Sequence, residues 1–155
     1  MAFGVGRRLA EADRLYREIL SADAGNSNAW HLLGLVCYQN GDNEAAIECM
    51  RRAVALESTA LYLSNLAAAY ISMGQVVAAE ICCREALALD PAHRKARYHL
   101  GCACHLLGKL DEAVDCYRHL LAADPNNALA WNGLGTASVA LRNLEEAEGC
   151  FRRAI

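Results

Sequence analysis

The sequence predicts an all-α chain of stacked helical hairpins, and three observations carry that prediction. Apolar residues recur at helical spacing: Leu100, Gly101, Cys104 and Leu107 share one face up to Gly108, and Leu110, Ala113, Val114, Tyr117, Leu120 and Leu121 share another up to Asp124-Pro125. The pattern copies itself at offsets of 33, 34 and 34 residues, a period that belongs to stacked supersecondary units. Alanine and leucine dominate a composition that is 55% hydrophobic and 21% charged, without the β-branched and aromatic runs that strands require. Such a chain buries a core instead of staying disordered.

Residues 1–26 read as half a repeat. Leu9, Ala12, Leu15, Tyr16, Ile19 and Leu20 place one helix over residues 8–22, stopped by Asp23-Ala24-Gly25-Asn26. Met1 to Gly6 reads as the frayed stub of a preceding helix, weakened by Gly4 and Gly6. Full repeats follow over 27–59, 60–93 and 94–127, and a truncated one over 128–155. In the first helix of each copy Trp30, Leu33, Gly34 and Gly41 recur as Leu63, Leu66, Ala67 and Gly74, then Arg97, Leu100, Gly101 and Gly108, then Trp131, Leu134, Gly135 and Arg142. In the second helix Ala46, Met50 and Ala53 recur as Ala79, Cys83 and Ala86, as Ala113, Tyr117 and Leu120, and as Ala147, Phe151 and Ala154. The small residues are expected where two helices approach closely, with Gly34, Ala67, Gly101 and Gly135 facing Ala46, Ala79, Ala113 and Ala147. The shorter first interval places its deletion in the turn at Ser58-Thr59, making one of the two the N-cap of the next helix.

The spacing Trp30-x-x-Leu33-Gly34, then Ala46-x-x-x-Met50-x-x-Ala53, with Tyr70, Ala79, Ala86 and Pro91 in the next copy, resembles tetratricopeptide repeats (TPR) over essentially the whole chain. It departs from that pattern at Arg97, where a bulky apolar residue is usual, at Arg142, where the turn glycine is usual, and at Glu57-Ser58 in place of Asp-Pro. The resemblance implies a right-handed solenoid whose first helices line a concave surface. It implies a scaffold or adaptor that binds a peptide or helix of a protein partner there. The residues then expected to meet the partner are Asn28, His31, Asn65, Lys95, Tyr98, His99, Cys102 and Asn132.

Two specialised grooves known in such repeats fit poorly. A clamp for a C-terminal carboxylate would need Lys, Asn, Asn, Lys and Arg at His31, Leu35, Asn65, Lys95 and His99, and only Asn65 and Lys95 agree. An asparagine ladder of the O-linked N-acetylglucosamine transferase type would need Asn at Leu32, Asn65, His99 and Gly133, and only Asn65 agrees.

Chemistry beyond binding finds little support in the residues. His99, Cys102 and His105 share a helix face, but a helix spreads them over about 9 Å, too far for one metal ion. Cys49, Cys82, Cys116 and Cys150 occupy equivalent places in successive second helices, too far apart for disulfides, and read as small semi-buried fillers. Serine, histidine and acidic residues form no nucleophile-elbow pattern, and the glycines serve packing and turns. No catalytic constellation, metal or cofactor is therefore expected. A net charge of −3 with scattered basic residues argues against nucleic acid, and the broken apolar runs argue against a membrane span. Eight cysteines without a signal-peptide pattern point to a reducing, cytoplasmic setting.

Two other readings accompany the scaffold. The chain could be the substrate-recognition arm of a larger enzyme, such as a glycosyltransferase resembling the O-linked N-acetylglucosamine transferases. It could also be a self-assembly module, because Phe151, Ala154 and Ile155 end the pattern with no polar capping helix after them.

Overall fold

The computed structural model describes residues 2–155 and, among them, nine helices. These are α1 (Ala2–Ala22), α2 (Ser27–Gln39), α3 (Asn43–Leu56), α4 (Ala60–Ser72), α5 (Val76–Leu89), α6 (Arg94–Leu106), α7 (Leu110–Ala123), α8 (Ala128–Ala140) and α9 (Leu144–Arg153). The expected stub before residue 8 is instead the first turns of α1, which runs unbroken from Ala2; Met1 lies outside the described residues.

Helix starts are set by side chains that accept an otherwise unpaired backbone N–H. Asn26 caps α2 through Ala29 N (2.8 Å), Asp42 caps α3 through Ala45 N (3.1 Å), and Asn127 caps α8 through Ala130 N (3.0 Å). Of the two candidates in the shortened turn, Thr59 caps α4, its hydroxyl accepting from Tyr62 N at 3.1 Å. The turns within hairpins need a left-handed residue, supplied by Gly41, Gly74 and Gly108 at φ of +82°, +71° and +74°. Arg142 adopts the same conformation at φ +61°, a strained place for a residue with a Cβ.

Helices pair as α2–α3, α4–α5, α6–α7 and α8–α9, and each hairpin packs on the next through α3–α4, α5–α6 and α7–α8. The backbones of the first helices also approach one another, α2 with α4, α4 with α6 and α6 with α8, whereas those of α3, α5, α7 and α9 stay further apart and are linked only through long side chains such as Arg84 and Arg118. That asymmetry bends the solenoid and puts α2, α4, α6 and α8 on its inner side. The main core is built from Leu63, Leu66, Leu100, Tyr117, Leu120 and Leu134 with many alanines at zero exposure.

The close approach inside the hairpins involves more than the expected small-on-small contact, which is seen where a Cβ on Gly34 would lie 3.2 Å from the Ala46 carbonyl. A Cβ on Gly34 would lie 2.7 Å from Met50 Cγ, one on Gly101 2.8 Å from Tyr117 Cε1, and one on Gly135 2.8 Å from Phe151 Cε1. Each glycine is thus the socket for a bulky side chain of the facing helix. The second hairpin has Ala67 at the equivalent place, and there the partner shrinks to Cys83. Size is traded across the pair, the bulkier Ala67 meeting a smaller partner, which is what close packing demands.

One edge contact also recurs. The indole Nε1 of Trp30 donates to the Ala24 carbonyl at 2.9 Å, and that of Trp131 to the Pro125 carbonyl at 2.7 Å. At the equivalent place Arg97 Nη2 donates to the Pro91 carbonyl at 2.7 Å, so the atypical arginine keeps the hydrogen bond while replacing the aromatic ring with a charge.

Candidate functional site

The inner surface contains a cavity of about 400 Å³ to which α2 contributes Tyr38, α4 Asn65 and Ala68, α6 Arg94, Lys95, Tyr98 and His99, α7 Leu120, and the start of α8 Asn127 and Leu129. Four of the residues read from the sequence, Asn65, Lys95, Tyr98 and His99, are brought together here. Cys102 and Asn132 lie further along the same helices, in a second cavity of about 230 Å³ that also includes Tyr98, His105, Tyr117, Gly133 and Thr136. Asn28 is exposed near the start of α2 and lines neither cavity.

His31 lies beneath this surface rather than on it. It is 2% exposed, stacks on Tyr62 with ring centroids 4.3 Å apart, and meets Asn65 Nδ2 through Nε2 at 3.2 Å. Its Nδ1 is buried without a partner, and burial pushes its pKa below the usual imidazole range. One repeat further on, His99 Nδ1 donates to the Ser64 carbonyl at 3.1 Å, which leaves Nε2 of the neutral ring as an acceptor. Burial lowers the His99 pKa, the carbonyl bond opposes that, and Lys95 reinforces it. Tyr38 and Ser72 share a third inter-repeat hydrogen bond at 2.9 Å. The inner face is therefore laced across its repeats by polar rungs that hold Asn65 and His99 in place.

Charge is strongly segregated. Helices α2, α4, α6 and α8 contain no aspartate or glutamate, and their only lysine or arginine residues are Arg94, Lys95 and Arg97, all in the opening turns of α6. Cations there oppose the helix dipole, an arrangement that costs about 0.3–1 kcal/mol for each exposed charge. Among the described residues none of the three has a carboxylate within 4.0 Å. Sequence spacing singled out Lys95, and placed Tyr38 and Leu129 on the inward face, but missed Arg94 and Asn127. The signal for Arg94 was its place at the helix start, where neighbouring side chains reach the same surface.

The outer face carries an ion-pair network that the sequence reading also missed. Lys109 Nζ lies 2.7 Å and 2.9 Å from the two Glu80 carboxylate oxygens, while Arg84 spans Glu80 (2.8 Å) and Glu112 (2.6 Å). These partners hold the Glu80 carboxyl below its usual range. Arg118 and Glu146 repeat the Arg84–Glu112 pair one unit later at 2.8 Å. Glu80, Cys104 and Glu112 come within 4.8 Å of one another, the one such grouping of metal-ligand atoms among the described residues. Lys109 and Arg84 already neutralise its carboxylates, and burial raises the Cys104 thiol pKa, so the set suits an ion-pair network and not a metal.

All eight cysteines are free thiols, and seven are buried; Cys102 alone is partly exposed. Burial pushes Cys49, Cys82 and Cys116 up to about 11. Tyr117, whose hydroxyl donates to Cys102 Sγ at 3.5 Å, fills the space left by both Gly101 and Gly133.

A curved stack of helical hairpins with a cavity on its inner face is a helical-repeat solenoid of the kind the sequence implied. The Tetratricopeptide repeat family matches residues 27–59 and 60–93, and the TPR repeat family matches residues 101–141. The chain belongs to the tetratricopeptide repeat proteins. A solved structure of MamA is 26% identical, with a TM-score of 0.86 over 97% of this chain and 88% of that one. YrrB, a TPR protein with an unusual peptide-binding site, is 21% identical with a TM-score of 0.82 over 99% and 80% of the two chains, a likeness of fold. The first TPR of Spaghetti (RPAP3), solved bound to the HSP90 peptide SRMEEVD, is 30% identical with a TM-score of 0.73 over 77% of this chain and 96% of that one. No curated protein sequence matches the chain. Among the described residues no helix is long and apolar enough to cross a membrane.

Proposed function

We propose that the protein is an interaction scaffold that holds a polypeptide segment of a partner on its concave surface, centred on the cavity between α4, α6 and α8. The observation that carries this reading is convergence: successive repeats contribute to one preformed space of about 400 Å³, large enough for one or two side chains. Tyr38, Tyr98, Leu120 and Leu129 give it apolar walls, while the amides of Asn65 and Asn127 and the His99 acceptor suit a peptide backbone. A rigid host ordered by its own rungs loses little entropy on binding. His31 acts as a positioning residue behind Asn65, and Cys102 and Asn132 extend the surface along the groove, with Asn28 at its far end. The peptide-bound TPR of Spaghetti, 30% identical, supports the same mode. Buried free thiols suit a reducing compartment such as the cytoplasm.

Peptides selected from a displayed random library on the immobilised chain provide the test. Their affinity, read by fluorescence anisotropy, is expected to fall about fivefold or more in Lys95→Ala and Leu129→Ser, the loss of one or two modest contacts, and to be unchanged in Glu85→Ala on the outer face. Equal affinity in all three variants would place binding elsewhere and sink the reading.

A further inference from the structure

We infer that the partner segment is acidic and that it leaves the concave cavity over a ridge formed by Arg94 and Leu120, crossing onto the edge of the third repeat. This rests on the groove reading above and adds the ligand's chemistry and its path. Arg94 and Leu120 line both the main cavity and a smaller one of about 180 Å³ that also holds Arg97 and His119, so the two spaces adjoin at that ridge.

The edge cavity lies where the third repeat departs from the first and the last. In the first and last repeats an arginine covers a tryptophan, Arg52 over Trp30 at 4.7 Å and Arg153 over Trp131 at 4.8 Å. The equivalent pair in the third repeat is His119 and Arg97, a basic residue on a basic residue. Arg97 is held by its bond to the Pro91 carbonyl through one nitrogen, which leaves its remaining N–H donors for a carboxylate. The turn carboxylates Asp90 and Asp124 each accept a backbone N–H, from Ala92 and Asn126. Lys95, Arg94 and Arg97 thus form a row of cations without carboxylate partners running from the groove to the edge, on a helix that, like α4 and α8 beside it, carries no acidic residue. An extended segment with carboxylates every second or third residue matches that row, at about 3.3 Å of chain per residue.

A fluorescein-labelled peptide with glutamates spaced among alanine, leucine and glycine, and its glutamine counterpart, are titrated against the full chain by anisotropy at about 50 and 300 mM NaCl. The glutamate peptide is expected to bind about tenfold tighter than the glutamine one, with the advantage shrinking at high salt. Arg97→Trp introduces the edge indole of the first and last repeats, so it should keep the unfolding midpoint while weakening the glutamate peptide about threefold or more; Arg94→Gln should weaken it further. Equal affinity for the two peptides, or an unchanged affinity in Arg97→Trp, overturns the inference. Library-selected peptides that lose affinity in Leu129→Ser but ignore Arg94→Gln and Arg97→Trp would defeat the acidic path and leave the scaffold standing.

Discussion

Replacing Gly101 by alanine adds a single methyl group to α6, and two effects of opposite sign follow. Alanine is the better helix former by about 1 kcal/mol. The new Cβ, however, would stand 2.8 Å and 2.9 Å from Cε1 and Cζ of Tyr117 and 3.3 Å from Cys116 Cβ. The ring cannot retreat, because a Cβ on Gly133 would lie 2.5 Å from the same ring and Tyr117 is only 3% exposed. Overpacking of this kind costs about 1–3 kcal/mol, so the net expectation is a loss of about 0–2 kcal/mol. Gly149 in α9 supplies the contrast: a Cβ there meets nothing within 4 Å, and Gly149→Ala should stabilise by about 0.5–1 kcal/mol. Urea denaturation followed by circular dichroism, with midpoints compared at a shared slope, reads both. Combining Gly101→Ala with Tyr117→Cys recreates the Ala67 and Cys83 pair of the second hairpin, and the double variant should be at least about 1 kcal/mol more stable than the sum of the singles. If Gly101→Ala stabilised as Gly149→Ala does, the socket argument would be refuted.

Arg142→Gly relieves the left-handed strain and should gain about 0.5–1 kcal/mol in the same assay, whereas no gain would mean that the turn tolerates a Cβ. His31 and His99 have depressed pKa values in the fold, so their contribution is complete above the unfolded value near 6.5 and is lost as pH falls through it toward the folded values. Glu80 and Glu146, held down mainly by Lys109 and Arg118, lose theirs in a separate, more acidic window that ends below the ordinary carboxylate value. Denaturation midpoints should accordingly drop between about pH 7.5 and 5.5, and less so in His99→Gln; identical midpoints would contradict the burial argument. A thiol reagent should find one fast cysteine in the native chain, lost in Cys102→Ser, and the remaining seven only after unfolding. Asn65→Ala is expected to destabilise by about 1–3 kcal/mol, since it strips the buried His31 of its partner, and an unchanged stability would deny that rung.

Helix order, repeat period and core were legible because each rests on local spacing: a 3.6-residue stripe, a capping oxygen, a glycine at a turn. The facing of Gly101 by Tyr117 was not, since spacing along one helix does not say which residue of the next reaches across. Asn65, Lys95, Tyr98 and His99 were legible as a group because one helix face in each repeat points inward. His31 shares that face, yet its depth depends on Tyr62 and Asn65 from the neighbouring hairpin, a relation the sequence holds only at long range. The bridge from Glu80 to Lys109 was hidden for the same reason, and Arg97 read as a departure until its bond to Pro91 showed which property of tryptophan it retains.

The rungs of the inner face are unevenly distributed. Asn65 meets His31 and His99 meets Ser64, but the equivalent pair at the last junction, Tyr98 and Gly133, has no hydrogen bond, and the Tyr117 ring rests against Gly133 instead. A hydrogen bond is short and directional, whereas the contact of a ring with a backbone, however close, has no preferred direction in the plane of contact. In mechanical terms the solenoid is a beam with two riveted joints and one bearing, tethered on its far side by Arg118 and Glu146. A load that tightens or opens the curve is then absorbed first at that bearing, so the aperture framed by Cys102 and Asn132 widens or narrows while the seat around Asn65 keeps its shape.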